Sequence, residues 1–464
     1  MKGFVPTPTR VVDLMVARLF QGRAPTSSST ILDPGCGTGV FVDGVLRWCS
    51  AAHVALPRIT GVESEPGRVR AARSRFRGNS AVRILDRDFL REAHGAGRFD
   101  YIIGNPPYVP ITGLTEEEKA SYRATFSTAT GRFDLYLLFF EQALRRLRPG
   151  GRLVFITPEK FLYVATAAPL RRLLGARRVE ELHFLPEDSF EGLVTYPLVT
   201  TLENSVVDGT TRVWTRDGTR HSIRLPSDGS SWLPTVARAG PSLSGPTLEQ
   251  AALRVSPGVA TGADSVFVRR TAELQPGLRP FAYPTISGRE LEPGSSGYHL
   301  KWSMLTPYDH EGHLLPEDQL GALGADLRGD TTRRRLEERT CVARKPWYAF
   351  HETPPLADLL RPKILCKDIV AEPEFWSDAA GSIVPRHSVY YIVPRDPSKL
   401  VELTNYLNSA PAKAWLRSHC QRAANGFLRL QSASLKQLPV PRELVGTARS
   451  GSLRSTQTAV AIVA

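Results

Sequence analysis

The sequence predicts an α/β protein whose first 204 residues form a doubly wound, mostly parallel sheet, followed by a mixed α+β second half. Three observations carry this prediction. Short apolar runs alternate with helical patterns up to residue 204. Those runs are continuously apolar, as in strands covered on both faces. From residue 205 the pattern changes to short strands with Asp-Gly turns, then to irregular sequence rich in Pro, Gly and aromatic residues.

Taken in order, VVDLMVARLF places Val12, Met15, Val16 and Leu19 on one helical face. STILDPG is a short strand running into Gly-rich sequence. FVDGVLRWCS reads as a helix, RITGVES as a strand, GRVRAARSRF as a helix, and AVRILDRDF and FDYIIGN as strands. DLYLLFFEQALRRLRPGG is an amphipathic helix with a Pro-Gly-Gly stop. RLVFITP is a strand, APLRRLLG a helix, and VEELHFLP and YPLVTTLEN strands. Residues 205–250 are expected to hold a hairpin and the linker VARAGPSLSGPT. In residues 251–445, KLVELTNYLNSAPAKAWLRSHC is one of the few clear helices and TTRRRLEERT a charged, exposed one. Residues 446–464 are expected to be a disordered tail.

The chain has 464 residues, enough for two or three domains with real cores. An apolar fraction of 42% and a charged fraction of 23% are ordinary globular values. The net charge is +13, spread over both halves with no basic tail. That suits a folded surface that meets a polyanion; a GC-rich genome favouring Arg produces the same bias. The five cysteines, at 36, 49, 341, 366 and 420, form no CxxC and no Cys/His cluster with zinc spacing. Reduced thiols in a cytoplasmic protein are expected. MKGFVPTPTR lacks the apolar core of a signal peptide, and no apolar run approaches the roughly 20 residues of a membrane span.

TILDPGCGTGVF is a strand, a Gly-rich turn and a helix start. Gly35, Gly37 and Gly39 let backbone approach a ligand and expose amides at the helix N-terminus. Val40 stands where a dinucleotide fingerprint wants its third Gly, and the P-loop Gly-Lys-Ser/Thr is absent. Glu63 ends the second strand, where an acid can accept bonds from ribose hydroxyls. Asp88 and Phe89 end the third, where an acid can accept from an adenine amino group and a ring can stack. Three consecutive strand ends line one crevice, and a nucleoside-bearing cofactor is its economical occupant.

The fourth strand ends in Asn105-Pro106-Pro107-Tyr108. Two prolines force a rigid, extended exit, and the carbonyls of residues 105–107 can then point into the crevice. The Asn105 amide oxygen, the Pro106 carbonyl and the Tyr108 ring make a holder for a planar group bearing an NH₂.

DPGCGTG followed by NPPY resembles the S-adenosylmethionine-dependent amino-methyltransferases that modify the exocyclic nitrogen of adenine in DNA. FVPTPTRVVDLMV resembles motif X of that family and precedes the Gly-rich motif, the gamma arrangement of the TaqI-type enzymes. The resemblance runs through residues 4–204, including FSTATGRFDLYLLFFEQALRRLRPGGRLVFITP and SFEGLVTYPLVTTLE. It implies a Rossmann-like class I methyltransferase domain over residues 1–204 and a target-recognition domain over 251–445.

Carried over residue by residue, the resemblance implies that Thr7 and Pro8 contact the methionine part of S-adenosylmethionine. Asp33, Gly35 and Gly37 would surround its amino acid moiety, and Glu63 would bind its ribose. Asp88 and Phe89 would bind the adenine, with Phe139 bordering the pocket. Asn105 and the Pro106 carbonyl, held by Pro107, would grip the target amino group. Tyr108 would stack on the base, and Phe190 in EDSFEGL would pack against it as a second aromatic. Gly35 stands where many relatives carry Ala, a departure expected to be harmless.

The activity so implied is methyl transfer to a flipped-out adenine in double-stranded DNA, without a metal, in a restriction–modification or phage-defence system. NPPY also occurs in some RNA methyltransferases and in enzymes that methylate a glutamine amide, which makes either activity the alternative. Arg289, Lys345, Lys363, Lys367, Arg429 and Gln431 are the candidates for phosphate or base contacts. A separately encoded restriction endonuclease, a monomeric state, no membrane association and a cytoplasmic location complete the expectation.

Overall fold

The computed structural model describes residues 5–91, 98–190, 196–206, 209–216, 218–236, 243–294, 298–353, 355–423 and 427–445. They divide into two units, Met1–Arg238 and Ala239–Ala464.

The first unit alternates helices and strands: α1 (Thr9–Phe20), β1 (Thr30–Asp33), α2 (Val40–Ala51), β2 (Arg58–Glu63), α3 (Pro66–Arg75), β3 (Val82–Asp86) and β4 (Phe99–Gly104). It continues with α4 (Glu116–Thr125), α5 (Leu135–Arg146), β5 (Leu147–Pro158), α6 (Ala168–Gly175), β6 (Arg178–Phe184), β7 (Pro197–Glu203), β8 (Thr211–Trp214) and β9 (Arg220–Ile223). One nine-stranded sheet results, in the order β3-β2-β1-β4-β5-β7-β6-β8-β9. Strands β1 to β5 pair in parallel, whereas β7 runs antiparallel to both β5 and β6. This is the doubly wound, mostly parallel sheet that the alternation predicts.

Successive residues of the central strands serve opposite faces. Ile31, Tyr101, Ile103, Val154 and Ile156 join the core built with α1 and α2. Leu32, Ile102, Leu153 and Phe155 join the core built with α5 and α6. Burial on both faces is the reason these strands read as unbroken apolar runs.

Local signals set the helix ends. Glu65 opens α3 by accepting bonds from the Gly67 and Arg68 amides, with Pro66 in the first turn. Helix α4 escaped the sequence reading, although Thr115 and Glu118 form a full capping box at its start. Helix α5 ends at Arg146, and the chain enters β5 before Pro149-Gly150-Gly151 rather than after it.

The hairpin expected in 205–250 exists as β8 and β9, but it extends the first sheet: β8 pairs in parallel with β6. The sheet edge at β6 offers unpaired backbone groups, which the hairpin satisfies. The first unit accordingly runs to Arg238 rather than to residue 204. Part of the expected linker, residues 237–242, and all of the expected tail, 446–464, lie outside the described residues.

The second unit is mixed α+β. It contains β10 (Ala252–Pro257), β11 (Val268–Arg270), β12 (Ala282–Ile286), β13 (Trp302–Leu305), β14 (Lys363–Lys367), β15 (Ile369–Val370) and β16 (Phe375–Asp378). It also contains β17 (Val384–Pro385), β18 (Val389–Pro394), β19 (Gln421–Arg422) and β20 (Leu428–Arg429). The sheets are β10-β18-β14-β16, β11-β13-β12-β17 and β15-β20-β19. The single helix expected from KLVELTNYLNSAPAKAWLRSHC is two, Leu400–Leu407 and Ala410–His419. Ser409 caps the second, accepting from the Ala412 amide, and Pro411 sits in its first turn, where a missing N–H costs nothing.

Candidate active site at the carboxyl ends of strands β1 to β4

The carboxyl ends of β1, β2 and β4 and the loop after β3 open onto one cavity of about 280 Å³. A parallel sheet that reverses its winding leaves such a crevice, because the connections on either side of the switch point diverge. Of the expected site residues, Thr7, Gly35, Glu63, Asp88, Phe89, Asn105, Pro107 and Phe139 line it. Arg68, Arg87 and, from α4, Glu118 and Tyr122 line it as well. The sequence reading did not include these four; for Glu118 and Tyr122, nothing local marks a cavity wall supplied by a later helix.

The Gly-rich turn is tied to β2. Glu63 is 5% exposed. Its Oε2 accepts from the Gly37 amide at 3.0 Å, and its Oε1 accepts from the Ser64 and Glu65 amides and from Arg68. Gly39 precedes α2 with φ +91°, and a Cβ there would fall 2.3 Å from the Phe76 ring. A Cβ on Gly35 would meet only Phe139, at an ordinary 3.8 Å. The Gly-for-Ala departure at position 35 is therefore sterically neutral.

Asp33 ends β1 beneath this turn, fully buried. Neither of its carboxylate oxygens has a hydrogen bond of good geometry. Burial pushes its pKa up to about 8, the nearby Gly35 amide offsets part of that, and the Glu63 charge adds to it. Asp88 is more open; its Oδ1 accepts from the Leu90 amide at 2.9 Å, and Arg91 lies beside it. Phe89 packs on Phe139, with ring centroids 5.3 Å apart.

At the end of β4, the Asn105 Nδ2 donates to the Val5 carbonyl and to Thr7 Oγ1, each at 3.1 Å. Asn105 Oδ1 is buried and has no partner. A carbonyl can only accept, so Val5 determines which way round the amide lies. The Tyr108 hydroxyl donates to the Ile156 carbonyl at 3.4 Å, and its ring meets Tyr136 edge-on. Burial raises the Tyr108 phenol, with the charge of Asp134 adding to it, so the ring is neutral. Asp134 anchors the strand exit by accepting from the Val109 amide at 3.0 Å; burial pushes its own pKa up to about 6.

Six expected residues do not line this cavity: Pro8, Asp33, Gly37, Pro106, Tyr108 and Phe190. Pro8 precedes α1 without lining the cavity. Phe190 is 4% exposed and belongs to the core that holds α1 and α2 rather than to the cavity wall. Its motif is short, and an aromatic between two buried strands is absorbed by the core. Among the described residues no cluster of three His, Cys, Asp or Glu side chains is arranged to hold a metal ion, and no helix is long and apolar enough to cross a membrane.

In the second unit the six basic and polar candidates separate. Lys363 is fully buried and paired with Asp378, directly opposite on β16, so it cannot meet a ligand surface. Arg429 is held by Asp368 at 3.0 Å, and Lys345 Nζ donates to the His351 carbonyl at 2.8 Å. Gln431 is half-buried before a short helix. Arg289 and Lys367 line an open groove of about 710 Å³. Among the described residues neither side chain has an ion-pair partner, whereas Arg386 in the same groove pairs with Glu290.

Gly35 of the Gly-rich turn, Glu63, Asp88 and Asn105 thus share one crevice at the carboxyl ends of a doubly wound sheet. Residues 70–190 match the family model described as Eco57I restriction-modification methylase, and residues 325–440 match the TaqI-like C-terminal specificity domain. The chain is 26% identical to the Type II methyltransferase M.PaeR7I of Pseudomonas aeruginosa over 95% of its own length and 86% of that protein. It is also 26% identical to the Type II methyltransferase M.XhoI of Xanthomonas vasicola, over 74% of this chain and 68% of that one. The solved structure of the ATP-dependent Type ISP restriction-modification enzyme LlaBIII bound to DNA shares the fold. It superposes with a TM-score of 0.51 at 11% identity, covering 96% of this chain and 38% of that one. One segment of the chain is thus similar to Eco57I-type restriction–modification methylases and another to TaqI-like specificity domains, and the similar curated proteins are Type II methyltransferases.

Proposed function

We propose that this protein transfers a methyl group from S-adenosylmethionine to the exocyclic amino group of an adenine in duplex DNA, as the modification enzyme of a restriction–modification system. The observation that carries the reading is Asn105 Oδ1: a buried acceptor without a partner, on an amide whose other end is tied down. A buried acceptor left open is costly unless a ligand fills it.

The cavity suits the cofactor. Glu63, Asp88, Phe89 and Phe139 line the cavity; Glu63 is the proposed acceptor for ribose hydroxyls and Asp88 for an adenine amino group, with the two rings as apolar walls. The uncompensated Asp33 carboxyl lies under the Gly-rich turn, where a cationic amino group would stabilise it. Bound there, S-adenosylmethionine supplies a methyl group on a positively charged sulfur.

The chain's own residues do the rest. The target base leaves the stack, and the lost pairing is offset by contacts with the protein. Asn105 Oδ1 and the Pro106 carbonyl accept the two amino hydrogens. That draws the nitrogen lone pair out of the ring and aims it for in-line attack. The neutral Tyr108 ring provides the stacking face. Arg289 and Lys367 are the proposed phosphate contacts of the second unit.

Expression in a methylation-free bacterial host, followed by sequencing that detects methyladenine, tests the reading. One modified sequence motif is expected. Methyl transfer to RNA or to a glutamine amide instead would overturn it. Asn105→Ala should lower the transfer rate by about 10²-fold or more, comparable to losing one preorganised contact to the reacting group. Its cofactor affinity, read by calorimetry, should stay near wild type.

A further inference from the structure

We propose that Thr7 is a positioning residue: its hydroxyl latches the Asn105 amide in the orientation that the Val5 carbonyl selects, with Oδ1 facing the target nitrogen. This deepens the reading above and rests on it. An Asn side chain is nearly symmetric in shape, so packing alone does not choose between its oxygen and its nitrogen. Rotated by half a turn, Asn105 would present two hydrogens to an amino group that itself brings two hydrogens. Transfer therefore requires a device that selects one orientation.

The device is on the N-terminal segment before α1. Nδ2 has two hydrogens, and each finds an acceptor 3.1 Å away, one on Val5 and one on Thr7. The reversed amide would set its oxygen against the Val5 carbonyl, acceptor against acceptor. Thr7 is 7% exposed, so no bulk water substitutes for its hydroxyl. Val5, Pro6 and Thr7 also line the cavity. Val5 and Thr7 thus belong both to the cavity wall and to the amide anchor, and a segment far from Asn105 in sequence sets its orientation.

The test compares Thr7→Val, which keeps the shape and removes the hydroxyl, with Thr7→Ser, which keeps the hydroxyl. Single-turnover methyl transfer to an unmethylated duplex carrying the recognised DNA motif is measured at saturating cofactor, so that any contact of Thr7 with the cofactor is read separately as a dissociation constant. Thr7→Val should slow transfer roughly five- to tenfold, the size of one lost hydrogen bond, and Thr7→Ser by less than about twofold. The second readout needs no ligand. In protein labelled with ¹⁵N at Asn, the Asn105 side-chain amide, assigned by its absence from Asn105→Ala, should show slowed hydrogen exchange in wild type and Thr7→Ser. In Thr7→Val one of its two protons should exchange faster. An unchanged amide signal in Thr7→Val, a rate loss that disappears at saturating cofactor, or a Thr7→Ser as slow as Thr7→Val would each overturn the latch. If wild type methylates no adenine, the functional reading fails by itself, and the Asn105 amide signals still decide the latch.

Discussion

Asp33 shows how far burial can move one side chain. Its carboxyl, pushed up to about 8 chiefly by desolvation, holds its proton in the native protein at neutral pH. In the unfolded chain it ionises near pH 4. The native state therefore binds the extra proton between these values. The contribution of Asp33 to stability is complete below about pH 4 and is lost as pH rises toward 8. Asp33→Asn keeps the shape without the ionisation. Thermal melts of the cofactor-free protein should show the variant more stable than wild type by a few degrees at pH 8, with the gap narrowing toward pH 5. Equal gaps at both pH values would show that ionisation is not the cause. Asn105 teaches a complementary point. Its proposed role follows from the two prolines after it, but the direction of its amide does not, because its bonding partners Val5 and Thr7 lie near the N-terminus.

At the scale of elements, strand β14 separates two lysines that look alike in RPKILCKDI. Lys363 and Lys367 fall on the same face by strand periodicity, yet one is sealed in the interior and the other lines a groove. Position along the strand decides: Lys363 enters the sheet opposite Asp378, whereas Lys367 ends the strand. Lys363→Ala strands a buried carboxylate, although Asp378 keeps its bond from the Ile383 amide. The variant should lose about 3–5 kcal/mol of stability by denaturant unfolding. Any of it that folds should bind DNA with the salt dependence of wild type. The helices and strands of the first unit were legible because their apolar spacing is regular. Helix α4 was missed because it carries ten mostly polar residues and buries only Tyr122, leaving its capping box as the one signal. The break at Ser409-Ala410-Pro411 was likewise written in the sequence as a cap followed by a proline, and the apolar periodicity running across it concealed it.

For the whole molecule, the excess of 13 positive charges says that an anionic partner is compatible, not where it binds. Ion pairing narrows the choice. Each phosphate contact contributes a slope of about −0.9 to the dependence of log affinity on log salt. Replacing both Arg289 and Lys367 by Ala should make that slope less steep by about 1.8, measured by anisotropy titration of a DNA duplex. Arg429→Ala should change it less, because Asp368 already neutralises that guanidinium. An unchanged slope in the double variant would remove both residues from the interface.

The sequence by itself determined the alternating order of the first unit, the strand ends that carry Gly35, Glu63, Asp88 and Asn105, and the resemblance that links them. Such information is local: a strand end, a turn and a cap are each built from neighbouring residues. Only the tertiary structure decided that β8 and β9 complete the first sheet, that Phe190 and Lys363 belong to cores, and that Thr7 and Val5 hold Asn105. These outcomes depend on which distant groups meet, and burial then decides whether an aromatic or a charge is left for a ligand.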